Sequence, residues 1–154
     1  MELAHFQKPT FLITESKLSQ KADVFEKLLV ELRKRELSDS IIEFTNQEVL
    51  SIGAASSDEK TFAKQLQKSQ SLILKHLEKE LKVVPKNYYR TTFMSLGMAA
   101  FGIPIGVAFG LAIGNLAFLG IGLPIGLGIG IAVGTAKDNK AKASRNQLEV
   151  DIIY

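Results

Sequence analysis

Eight glycines at strict intervals of four carry the chemistry of this 154-residue chain: Gly102, Gly106, Gly110 and Gly114, then Gly122, Gly126, Gly130 and Gly134. That chemistry is contact rather than catalysis. A four-residue step keeps a position on one slowly rotating helix face, and a face of glycines is a groove into which another backbone can settle. A glycine destabilises a water-soluble helix by about 1 kcal/mol against alanine, so eight in register require a packing role. In lipid no hydrophobic force draws helices together. Close approach, dispersion and Cα–H to carbonyl contacts supply the attraction instead.

The side chains of conventional catalysis are missing or scattered. Cysteine is absent, which excludes disulfides, thiolate nucleophiles and Cys-based metal sites. His5 and His76 are the only histidines, and neither has a second His or Cys at ligand spacing. A phosphate loop needs a polar turn opening a helix, with Lys and Ser or Thr, and the glycine block has none. No metal, no cofactor and no enzymatic activity are expected. The net charge of +3 is small, so nucleic acid is not an expected partner. Met1 to Thr14 lacks the apolar core of a secretory signal.

The elements that must position the glycines lie in Thr91 to Ala136, where no Asp, Glu, Lys, Arg or His occurs. Thr91–Gly114 and Leu116–Ala136, read as helices, are roughly 36 Å and 31 Å long, each enough for a hydrocarbon core of about 30 Å. A connection of Asn115 alone, or of residues up to Gly120, makes them antiparallel neighbours. Residues 102–115 recur in 122–135 with a period of 20, including Pro104 and Pro124. Pro124 suits the first turn of the second helix, whereas Pro104 kinks the first. Alternatively each proline opens a shorter helix, Ile103–Gly114 and Leu123–Ala136, with Thr91–Phe101 a separate piece. Tyr88, Tyr89 and Arg90 enter the block, and Lys137 and Lys140 leave it. Tyrosine rings favour the headgroup layer and basic side chains reach lipid phosphates, so these five read as interfacial anchors. Positive flanks around an uncharged turn place a multi-pass membrane protein with both termini cytoplasmic.

Residues Gly102 to Gly134 resemble the glycine-zipper class of membrane proteins, which share small residues at every fourth position. The resemblance implies helix association in a membrane, often homo-oligomeric, and brings no activity with it. A weaker similarity links the stretch to the hairpin subunit of rotary ATP synthase rings. That subunit carries ions on a membrane-embedded carboxylate, and no Asp or Glu lies between Thr91 and Ala136.

The fold class that follows is all-α, a small cytoplasmic helical module followed by a two-helix glycine-zipper transmembrane hairpin. Its divisions are residues 1–86 (module), 87–136 (hairpin) and 137–154 (basic tail). In the module, Leu18, Ala22, Phe25, Leu29 and Leu32 alternate steps of four and three, which predicts an amphipathic helix from about Ser16 to Leu37. Ser38-Asp39-Ser40 caps a second helix bearing Ile41, Ile42, Val49 and Ile52, although Ile41–Thr45 also suits a strand. Ser56 with Glu59 matches a capping box for a third helix, whose face comprises Phe62, Leu66, Ile73, Leu77, Leu81 and Val84 and which ends before Pro85. Thr10–Thr14 reads as a strand or extended arm. Leu148–Ile152 alternates like a strand that pairs with it or stays disordered.

Three functions are expected from these elements. The first is a self-associating membrane protein, a homo-oligomer forming a pore or permeabilising assembly in the lipid bilayer. The second is a membrane-anchored adaptor binding a protein partner through residues 16–84. The third is an effector delivered in soluble form with its hairpin shielded.

Overall fold

The computed structural model describes residues 2–12 and 16–152. The chain forms two compact units: Met1–Pro85 with Leu148–Tyr154, and Lys86–Gln147. The first is the helical module and the second a helical hairpin, so the architecture is all-α apart from one short two-stranded sheet.

The module holds α1 (Lys17–Arg33), α2 (Asp39–Ala54) and α3 (Glu59–Leu81). The Ser16 hydroxyl caps α1 by accepting the Ser19 N–H at 3.0 Å. At α3 the cap is Asp58 rather than the expected Ser56, and its carboxylate accepts the Thr61 N–H at 2.9 Å. Ser56 turns back instead, its hydroxyl donating to the Gly53 carbonyl. Ile41–Thr45 is helical, because its apolar residues serve a helix face on which Ile41, Thr45, Val49 and Ile52 are all buried. These faces meet around Phe25, Leu29, Leu32, Phe62, Leu66, Ile73 and Leu77, each at most 1% exposed. Burial of a side chain of that size contributes about 1.5–3 kcal/mol. Where α2 meets α3, the fully buried Ser69 hydroxyl donates to Glu48 at 2.6 Å and accepts from Gln65 at 3.1 Å.

Both ends of the chain complete this core. Residues 2–12 form an arm rather than a strand, with Thr10 and Phe11 in a turn closed by the Leu12 N–H on the Pro9 carbonyl. Residues 13–14 of the expected strand lie outside the described residues. Asn46 holds the arm by accepting the Ala4 N–H at 2.7 Å and donating to the Glu2 carbonyl at 3.0 Å. Phe6 meets Phe25 edge-on at 5.1 Å and Phe11 meets Phe62 edge-on at 5.7 Å. Lys8 pairs with Asp23 and Glu26 at 2.5 and 2.8 Å, and the hydrogen bond to Asp23 raises its pKa above the ordinary lysine value.

The C-terminal segment is the strand that the alternation of Leu148–Ile152 allowed, with a different partner from the expected one. Residues Gln147–Asp151 form β2, which pairs with β1 (Val84–Lys86) and not with residues 10–12, the described part of the expected partner. Leu148, Val150 and Ile152 are buried in the module core, and Glu149 and Asp151 alternate to the exposed side. Period-two patterning placed the apolar set on one face, and that face had a core to join. Val84, expected on the α3 face, is likewise in a strand, because α3 ends at a left-handed Lys82 and Pro85 disfavours helix at the residue before it.

Candidate functional site

The hairpin begins with α4 (Tyr88–Gly97), widens into one π-helical turn (Met98–Gly102) and continues as α5 (Ile103–Ile113). After a short 3₁₀ turn (Leu116–Phe118) the chain returns as α6 (Leu119–Ala143). Two helical stretches, Tyr88–Ile113 of 26 residues and Leu119–Ala143 of 25 residues, are long and apolar enough to cross a membrane. At about 1.5 Å per residue they measure roughly 39 and 38 Å, beyond the 30 Å of a hydrocarbon core.

Pro104 explains the π turn. Its ring cannot follow an α-helical carbonyl at Ala100 and it offers no N–H, so the turn before it opens. The Ile103 N–H then reaches back five residues to the Met98 carbonyl. The extra residue brings Gly97 and Gly102 onto one face although they are five apart. Pro104 thus stands in the first turn of α5, the start at Ile103 that the alternative reading expected, but α5 continues from α4 through the widened turn instead of being a separate piece. Pro124 lies inside α6 rather than in its first turn, because that helix starts at Leu119.

Across this antiparallel pair the glycines face one another. A Cβ added at Gly126 would sit 2.5 Å from both the Gly102 nitrogen and the Gly97 oxygen, and one at Gly106 would sit 2.5 Å from the Leu119 oxygen. Gly122 meets the backbone of Gly102 and Gly106, Gly130 that of Phe93 and Met94, and Gly134 that of Tyr89 and Arg90. Gly110 is buried as well. Seven of the eight glycines singled out by spacing are thus inside the hairpin. Gly114 is not: it is exposed, with a left-handed φ of 72° at the end of α5, and a Cβ there would touch nothing. It makes the turn. The Asn115 N–H bonds back to the Gly110 carbonyl at 2.9 Å, and the Asn115 side chain accepts the Ala117 N–H at 2.9 Å, so the reversal satisfies its own backbone.

The packing is the inverse of the module's. In the most apolar window of each span only 22% of residues are buried, and the buried positions of α5 are both glycines. Phe101, Ile103, Phe109, Leu111 and Ile113 on one strand of the hairpin, and Ile121, Ile125, Ile129 and Val133 on the other, point outward. The exposed hydroxyls of Thr92 and Ser95 donate to the carbonyls of Tyr88 and Thr91, one turn back.

Asp138 closes the open end of the hairpin. It is the next step of the α6 ladder after Gly134, is 6% exposed, and accepts the backbone N–H of Tyr89 at 3.1 Å and of Arg90 at 2.8 Å. These are first-turn donors of α4, which Asn87 leaves without a side-chain cap. A carboxylate on one helix therefore caps the other. Beside it the Lys137 ammonium lies 4.6 Å from the Phe93 ring centroid and 5.6 Å from that of Tyr89, and Tyr88 meets Tyr89 edge-on at 5.2 Å. Of the five expected interfacial residues, Lys137 and Tyr89 are thus in contact across the helices, Tyr88 is half-buried, and Arg90 and Lys140 are exposed. Lys137 and Lys140 belong to the last turns of α6 rather than to a tail.

Gly97 and Asp138 were not singled out from the sequence. A strict count of four stops at Gly102 because Gly97 is five residues away, and the proline two residues beyond Gly102 was the available sign of a widened turn. Asp138 continues the count from Gly134, but a search for glycine passes over it. Among the described residues no group of three His, Cys, Asp or Glu is placed to hold a metal ion. Comparison with family models, curated proteins and solved structures gives no match for this chain.

Proposed function

We propose that the chain is a multi-pass integral membrane protein in which Lys86–Gln147 crosses a bilayer as a closed hairpin, with the helical module on the aqueous side. One observation carries it: the hairpin buries its glycines and exposes its Ile, Leu and Phe, the arrangement a hydrocarbon solvent favours. The internal hydrogen bonds of Thr92 and Ser95 support it, since lipid offers them no partners. Pairing of β1 with β2 supports both flanks lying on one side of the bilayer, and the positive flanks favour the cytoplasmic side. Flotation with phosphatidylcholine vesicles, combined with membrane-impermeant thiol labelling of single cysteines placed at Asn115 and at Lys140, tests it. The protein floats and the two sites label from opposite sides. Recovery of the unaccompanied chain as a soluble monomer without detergent would overturn the proposal.

A second reading, self-association, is favoured by the outer face of α6. Gly120, Pro124, Gly128, Ala132 and Ala136 form another small-residue row at four-residue spacing, all exposed, and a Cβ at Gly120 or Gly128 would meet nothing within 4 Å. Ile121, Ile125, Ile129 and Val133 make a ridge beside it. A second hairpin would pack there, leaving Gly126 and its neighbours to the hairpin itself. Cross-linking in vesicles should then yield oligomers that Gly128→Leu abolishes, and dye release would show whether the assembly permeabilises the bilayer. Unchanged cross-linking by Gly128→Leu would remove this face from consideration.

A further inference from the structure

Where the hairpin opens, a cleft of about 160 Å³ is lined by Lys86, Asn87, Arg90, Thr135, Asp138, Asn139, Lys142 and Gln147. Its charges are unevenly committed. The one acid, Asp138, has each carboxylate oxygen engaged by a backbone amide. Among the described residues the side chains of Lys86, Arg90 and Lys142 form no ion pair. Three cations therefore converge on one concavity. The Thr135 hydroxyl and the Asn139 amide add neutral donors to its wall.

We infer that this cleft binds the phosphate of an anionic lipid headgroup, an inference that rests on the membrane assignment above. The three cations outnumber the single carboxylate of Asp138, and an anion that accepts hydrogen bonds from all three relieves their mutual repulsion. A phosphate has the charge and the oxygens to do so, and Arg90 offers a guanidinium fork suited to them. The lipid source follows from position. The cleft lies where the apolar spans end, beside Tyr88 and Tyr89, whose amphipathic rings favour headgroup depth. Asp138 has a double part here: it caps α4, and by tying down the Tyr89 and Arg90 amides it fixes the backbone from which Arg90 reaches the cleft.

Native mass spectrometry of the full chain released from mixed micelles tests the assignment, with phosphatidic acid, phosphatidylcholine and inorganic phosphate as probes. The parent retains one phosphatidic acid in preference to phosphatidylcholine. Lys86→Gln with Lys142→Gln weakens retention by about tenfold or more, the loss expected for removed charge-assisted hydrogen bonds. Lys64→Gln with Lys68→Gln removes the same charge from exposed positions outside the cleft and changes it less than about twofold. Equal losses in the two double variants would overturn the cleft in favour of diffuse surface charge. Displacement of the lipid by inorganic phosphate at comparable concentration would overturn the lipid source. Flotation of the parent with neutral vesicles is scored separately, so failure of membrane insertion is distinguishable from failure of the cleft.

Discussion

Two alanine substitutions two residues apart on α6 should have opposite effects. A Cβ at Gly126 falls 2.5 Å from the Gly102 nitrogen and the Gly97 oxygen and 2.6 Å from the Gly102 Cα, all backbone atoms that cannot rotate away. Ordinary contact begins at 3.4 Å, so the helices must part locally by about 0.9 Å. A gap of that size forfeits roughly a quarter to a half of the dispersion attraction between the facing surfaces. Overpacking of this kind destabilises by about 1–3 kcal/mol. A Cβ at Gly128 meets nothing within 4 Å, and alanine there gains up to about 1 kcal/mol of helix propensity. The absence of native cysteine makes the measurement clean: spin labels on Ser95→Cys and Ala132→Cys, both exposed positions, report the helix separation without background. Gly126→Ala should lengthen or broaden the distance distribution and lower the SDS fraction at which the hairpin opens. Gly128→Ala should do neither. Identical behaviour of the two variants would refute the idea that backbone contact between α4–α5 and α6 holds the hairpin together.

Three further outcomes follow from the structure. Asp138→Ala should lose about 1–2 kcal/mol, the scale of a helix cap, with Asp138→Asn intermediate, and hydrogen exchange should accelerate first at the Tyr89 and Arg90 amides. Leu148→Ala, at a side chain with no exposure, should destabilise the module by about 2–5 kcal/mol in thermal melts, whereas a free tail would tolerate it. The hydrogen bond from the Thr61 hydroxyl, then that from its N–H, lowers the Asp58 pKa below its ordinary value of 3.8. The resulting stability is present above that value and lost as pH falls through the lower folded pKa; Asp58→Asn should flatten this part of the acid melting curve, read by circular dichroism.

Local periodicity made the helices legible. Ala22, Phe25, Leu29 and Leu32 of the first stripe and the Phe62 to Leu77 face are buried where their spacing placed them, Leu18 is partly buried, and the uncharged block became two long apolar helices. Three features were hidden for separate physical reasons. The π turn breaks the period on which the glycine count depends, so Gly97 dropped out of it. The cap on α4 comes from Asp138, 48 residues beyond Arg90, and short-range capping patterns contain nothing so distant. The partner of Leu148–Ile152 was ambiguous because alternation specifies a face but no neighbour, and Val84–Lys86 is too short to announce itself as a strand. The glycine ladders are the subtler case. Spacing identifies a groove, but whether its occupant belongs to the same chain depends on the length and tightness of the turn at Gly114 and Asn115.

The pairing of β2 with β1 imposes an order on biosynthesis. Leu148, Val150 and Ile152 leave the ribosome after the three helices of the module whose core they join. Until they arrive the module lacks part of its interior, while the whole of Lys86–Gln147 has already emerged. Final consolidation of the module is thereby deferred until the apolar hairpin has been synthesised, so the hairpin can pair its own two helices before the chain is clasped behind it.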